Sequence, residues 1–183
     1  MTSPGSGVVA VWPPWVRVLH WTLALSTLAS FATHEGGGGA HELLGYVALG
    51  SACLRVVLGF VSSGHGAFSG FVRGFRHTKA YVLALARGRE PRYLGHNPLG
   101  GWMVVALLVC VVAAGLTGWL YTTDRFWGVA WLEEAHGLLG HAIVGLALLH
   151  VAGVVFTSWR HRENLVLAML HGRKAPPGPD DVA

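Results

Sequence analysis

The sequence predicts an all-α integral membrane protein, an up-and-down bundle of four helices with interfacial amphipathic helices at its edge. Three observations predict it. Hydrophobic residues make up 52% of the 183-residue chain and Asp, Glu, Lys and Arg only 12%, against about 45–50% and 25% in ordinary soluble domains. Mean hydropathy is +0.49. Four runs with few or no charges, about 15–33, 41–61, 99–121 and 134–157, have the ~20 residues a helix needs to cross a hydrocarbon core. None alternates as a strand would. In lipid each backbone amide must be satisfied within its own segment, so such runs are helices, and four of them pack as a bundle.

In chain order, the first run is not preceded by a basic region and cleavage site, so it is expected to be an uncleaved helix that doubles as the insertion signal. Gly36 to Gly39 reads as a tight outer turn before the second run. Ser69 to Arg87 mixes Phe71, Phe75, Tyr81, Leu83 and Leu85 with basic residues, and Arg162 to His171 has the same character. Both segments suit amphipathic helices on the inner leaflet. Asn97 and Pro98 are placed to cap and open the third helix. Residues 1–175 form one membrane domain and 176–183 a disordered tail. Trp12, Trp15, Trp102 and Trp159 fall at one interface and Trp119, Trp127 and Trp131 at the other, as aromatic belts do. Cys53 and Cys110 sit inside apolar runs as buried thiols and offer neither a CxxC nor a CxxCH motif.

Cytoplasmic flanks carry the excess of Lys and Arg. The middle loop holds Arg73, Arg76, Lys79, Arg87, Arg89 and Arg92, and the C-terminal segment holds Arg160, Arg162, Arg173 and Lys174. The two opposite loops set Arg125 against Glu35, Asp124, Glu133 and Glu134. Both termini are therefore expected in the cytoplasm, with the chain multi-pass in the membrane. Topology accounts for the basic residues, so no nucleic-acid role follows.

Chemistry is expected from the eleven histidines, because an ionisable group inside a span is costly enough to imply function. His20 lies near the inner end of the first run, His41 opens the second at the outer side, and the fourth carries His136 outside and His150 inside. Fourteen residues separate His136 from His150, close to four turns and about 21 Å of rise, so the two share a face. Matched by depth, His150 pairs with His20 and His136 with His41. The faces between are mostly small: His41, Gly45, Ala48, Ala52 and Arg55 on one helix, His136, Gly140, Ile143, Ala147 and His150 on the other. Such stripes leave a flat slot. A bare metal ion prefers three or four close ligands, whereas a haem takes two axial imidazoles and a gap one ring wide, so two b-type haems are expected. Both axial positions filled by protein favours electron transfer over oxygen activation. Arg55 and Arg17 lie at inner-haem depth as candidate partners of a haem propionate. His141, half a turn off the shared face, is expected to pack or relay protons. His34, His65, His77, His96, His161 and His171 lie at or beyond the interfaces and are not offered as ligands.

These positions resemble the four-helix di-haem cytochrome b family that includes bacterial cytochrome b561 and the cytochrome subunits of nickel-iron hydrogenases. The matching pieces are Val16-Arg17-Val18-Leu19-His20-Trp21, His41-Glu42-Leu43-Leu44-Gly45-Tyr46, Gly95-His96-Asn97-Pro98-Leu99-Gly100, Glu134-Ala135-His136 with His150, and Arg162-Glu163-Asn164-Leu165 with Met169 and Gly172-Arg173-Lys174. The resemblance implies His20 and His150 on an inner haem, His41 and His136 on an outer one, exchange with a quinone pool and, in many relatives, a periplasmic redox partner. The inner boundary with Arg73, Arg76, Lys79, His96 and Asn97 is where a quinone is expected.

The acidic outer loops, with Glu42 added, would repel superoxide and attract a cationic protein such as a cytochrome c. The leading expectation is an electron-transfer subunit between quinone and an external redox protein, with membrane lipid around it and homo-oligomerisation open. A stand-alone quinone-linked oxidoreductase of the superoxide oxidase type is the alternative, and a histidine-lined metal or proton transporter a more distant one. No glycine-rich dinucleotide motif beside a strand is present, so NADH is not a direct donor.

Overall fold

The computed structural model describes residues 7–36 and 38–182. Helix α1 spans Pro14–Ala32, α2 Gly39–Val61, α3 Phe68–Phe71, α4 Phe75–Ala86, α5 Pro98–Tyr121, α6 Ala130–His161 and α7 Leu165–His171. Helices α2, α5 and α6 are long and apolar enough to cross a membrane. Helix α1 is 19 residues long and is more polar, carrying Arg17, His20, Ser26, Thr27 and Ser30. The outer turn has Gly38 at a φ of 80°, a backbone open to glycine; Gly37 lies outside the described residues.

Among the long helices the most extensive packing is of α1 against α2, α2 against α5, and α5 against α6, and α6 also meets α1 through His150 and His20 and through His141 and Phe31. Their shared core is Ala48 and Ala52 from α2, Leu108, Val111 and Ala114 from α5, and Ile143 from α6. Ala48 and Ala52 of the small-residue stripe on α2 thus pack against α5. Small residues let helices approach when no hydrophobic force separates helix from lipid. Cys53, expected to be buried, is exposed on α2, because a lipid-facing helix side is as apolar as a core-facing one.

At the start of α5 the Asn97 side chain accepts a hydrogen bond of 2.7 Å from Gly100 N, with Pro98 in the first turn. This is the expected cap, worth about 1 kcal/mol. The basic loop and the chain ends form a cap over the same end of the bundle. Strand β1 (Val9–Ala10) pairs antiparallel with β2 (Arg173–Lys174), so both described ends of the chain meet on one side. Gly172, at a φ of 79°, makes this clasp: its carbonyl accepts from Val11 N and Trp12 N, and a Cβ there would lie 2.6 Å from Trp12 O. Arg162, in a left-handed conformation with φ 51°, ends α6. Its neighbour Glu163 accepts from Arg92 at 2.6 and 3.3 Å.

The tail expected to be disordered from Pro176 is tied down. Val182 N donates to Arg92 O at 2.8 Å, Leu94 N donates to Val182 O at 2.9 Å, and Arg92 also pairs with Asp181. The charge of Arg92 meets two carboxylates at once, which a composition rule for tails cannot see; Ala183 lies outside the described residues. A second latch joins Arg160, at the end of α6, to Glu90 at 2.8 Å.

Candidate haem sites between the long helices

The outer histidines and the groups that hold them come from four helices. His41 in the first turn of α2 has Nδ1 2.8 Å from the Ser30 backbone oxygen of α1. His136 on α6 has Nδ1 3.0 Å from Ala114 O of α5 and 3.3 Å from the Thr117 hydroxyl. A carbonyl only accepts, so each Nδ1 carries the proton and each Nε2 keeps its lone pair for a metal. The two rings meet edge-on, with centroids 5.9 Å apart and planes at 84°. Gly118 lies beneath the His136 ring, where a Cβ would stand 2.9 Å from Cε1.

The inner pair, His20 of α1 and His150 of α6, has centroids 6.3 Å apart and planes at 54°. Trp21 meets His20 edge-on at 5.2 Å. Both spacings suit a metal held between two imidazoles. Two metal–nitrogen bonds of about 2 Å, with half a ring beyond each, come to about 6 Å. No trio of His, Cys, Asp or Glu fit for a bare ion occurs among the described residues.

Arg55 is 7% exposed on α2. Its guanidinium lies 5.6 Å from the Trp15 ring centroid, 5.2 Å from Phe68 and 5.9 Å from Phe71. None of the ion pairs among the described residues includes it, and Nη1 is buried without a partner. An unpaired buried guanidinium is costly, so this orphan fits an anionic group such as a haem propionate. Phe71 also borders His96, whose ring lies 4.7 Å from Phe71 and 4.8 Å from Trp12 between centroids, tilted against both. Burial first, and then Arg55, His150, Lys174 and His20 nearby, push its pKa down to about 3, so His96 is neutral.

The remaining sequence candidates do not gather as tightly. Arg17 Nη1 donates to Leu170 O of α7 at 3.0 Å, at the α1–α7 junction. Gly45 and Gly140 stand in ordinary contact with Ser30 and Phe31 of α1, where a Cβ would lie 3.7 and 3.9 Å away. His141 is exposed, with Nδ1 2.8 Å from Gly137 O and its ring edge-on to Phe31. Asn97 is occupied by its cap, while Arg76 and Lys79 are exposed on α4, so the residues expected around a quinone do not converge on one pocket. Sequence reasoning missed Ser30, Ala114, Thr117 and Gly118, which set the outer rings. Only Ser30 and Thr117 left a signal, as hydroxyls inside apolar runs.

Residues 11–172, which include all four paired histidines, match the family described as prokaryotic cytochrome b561. The chain belongs to the prokaryotic cytochrome b561 family. Membership in the cytochrome b561 family carries with it a membrane location, transmembrane electron transfer and b-type haem as the cofactor. No curated protein and no solved structure matches the chain.

Proposed function

We propose that the chain is a di-haem electron-transfer protein of the bacterial inner membrane, linking a quinone pool to a periplasmic redox partner such as a cytochrome c. The observation that carries the reading is the two imidazole couples, His41 with His136 and His20 with His150, hung fourteen residues apart on one helix. That spacing sets them about 21 Å apart along α6, one near each leaflet. Held by each couple, a b-type haem would supply a one-electron iron centre.

The chain's own groups do the rest. Ser30 O and Ala114 O hold the outer imidazoles in the tautomer that ligates, fixing ring orientation as outer-shell partners do. Arg55 answers the charge of an inner propionate, with Arg17 as the second arginine at that depth. On this reading α1, α2, α5 and α6 all span the membrane. The Lys and Arg excess puts the cap and both termini in the cytoplasm. Glu35, Glu42, Asp124, Glu133 and Glu134 are exposed at the opposite end, which favours a cationic periplasmic partner over an anionic substrate. Quinone exchange falls to the inner boundary, on the side of the exposed Arg76 and Lys79 of α4.

Vesicles carrying the protein, with a reduced quinone in the bilayer and a cationic cytochrome c outside, test the reading. Protein-dependent reduction of the cytochrome, lost in both His20→Ala and His136→Ala, is expected. Reduction no faster than in empty vesicles overturns it.

A further inference from the structure

Arg55 and His96 come from different parts of the chain, α2 and the segment before α5, yet share one aromatic enclosure. Phe71 is common to both: its ring centroid is 5.9 Å from the Arg55 guanidinium and 4.7 Å from the His96 ring centroid. Glycines make room for the wall. A Cβ on Gly59 would lie 2.5 Å from the Phe68 ring, and one on Gly101 would lie 2.6 Å from Phe71 O. Inside this enclosure two side-chain nitrogens, Arg55 Nη1 and His96 Nδ1, are buried with no hydrogen-bond partner. Buried polar groups are almost always satisfied, so two orphans in one enclosure call for a group that accepts from both. Lys174 has its own carboxylate, Glu163, at 3.5 Å, whereas Arg55 has none among the described residues. What is missing is an anion with more than one acceptor oxygen.

We propose that His96 is a second recognition residue for the inner haem, its Nδ1–H and the Arg55 guanidinium together holding one propionate carboxylate. This rests on the di-haem reading above. His96 reaches the surroundings of Arg55 through Phe71, which both side chains touch. A neutral imidazole donates one hydrogen bond from Nδ1 and adds no second charge beside the arginine. The Trp12 and Phe71 rings pack against it at tilted angles.

The experiment uses the His136→Ala background, in which the inner pair is the remaining haem site. Haem affinity is read by titration, and the propionate by redox-induced infrared difference spectra. His96→Phe keeps an aromatic ring at this position and removes the donor. It should weaken haem retention by about 10- to 100-fold, the worth of a hydrogen bond to a charged group, and shift the carboxylate bands. His96→Asn, which keeps an N–H near the Nδ1 position, should restore most of both. With the propionates esterified as dimethyl esters, the difference between His96 and His96→Phe should vanish. If His96→Phe does not fold, the His96 protein should still take up the ester more weakly than free-acid haem. Unchanged affinity and carboxylate bands in His96→Phe, a defect that persists with the ester, or equal uptake of ester and free acid would each overturn the assignment while leaving the haem sites standing. A chain that takes up no haem with all four histidines intact overturns the di-haem reading, and the assignment with it.

Discussion

The imidazole of His136 lies across the backbone of Gly118, so close that a methyl group on Gly118 would come within 2.9 Å of Cε1. The ring is also tethered through Nδ1 to Ala114 O one turn earlier on the same helix. It therefore cannot yield to a side chain at 118 without giving up that bond. Gly118→Val should remove the outer haem and leave the inner one, seen as loss of about half the reduced-minus-oxidised absorbance. Full absorbance in this variant would mean that the ring has another resting place.

Arg55→Leu should act with opposite sign on the empty and the loaded protein. Without haem the guanidinium is a buried charge with no counter-charge, and its removal should stabilise the fold by about 1 kcal/mol or more. With haem the same change removes the propionate's partner and should speed loss of the inner haem. Thermal unfolding of both forms in detergent reads the two effects. A change of the same sign in both forms would remove Arg55 from the haem site.

The cap should loosen in acid. Burial alone would raise the Glu163 carboxyl, but the hydrogen bonds from Arg92 and the charges of Lys174 and Arg92 bring it below its ordinary value. Asp181 is likewise lowered: burial opposes, and the Gly178 N–H and Arg92 prevail. A carboxyl whose folded pKa is depressed contributes stability above its unfolded pKa of about 4 and loses it as pH falls through the folded value. Hydrogen exchange at Val182 and Lys174 should be slow at neutral pH and speed up below about pH 4. Glu163→Gln should already be fast at neutral pH and converge with the parent in acid. Exchange independent of pH, after correction for the intrinsic rate, would separate the cap from these ion pairs.

On the outer face, Glu133 and Glu134 are exposed at the start of α6. Neutralising both to Gln should slow reduction of a cationic cytochrome c at low salt by about tenfold and flatten the salt dependence, because steering between opposite charges raises the association rate. Identical kinetics at every ionic strength would exclude this face as the docking site.

The positions of the four long helices were legible because continuous apolar length needs no tertiary information. Their ends were less so. Helix α6 runs from Ala130 to His161, beyond the expected 134–157, since Glu133 and Arg160 end an apolar run without ending a helix. The fourteen-residue interval matches the histidines by depth, and in the structure the rings of the two pairs lie 6.3 and 5.9 Å apart between centroids. The packing of Ala48 and Ala52 on α5, the outward side of Cys53 and the seat of His136 on Gly118 were not readable. A helix apolar on all sides carries no mark of which side meets lipid and which meets protein. Nor does local composition reveal that Arg92 and Asp181, eighty-nine positions apart, would tie down the tail.

The central claim is that each histidine pair holds its own haem. A pyridine haemochrome count on detergent-purified protein tests it most directly, repeated with His20, His41, His136 and His150 each changed to Ala and with His141→Ala as control. Two b haems per chain in the parent and the control, and one in each of the four variants, is the predicted result. A parent chain with no haem, or a loss in His141→Ala equal to that in the others, would contradict the account.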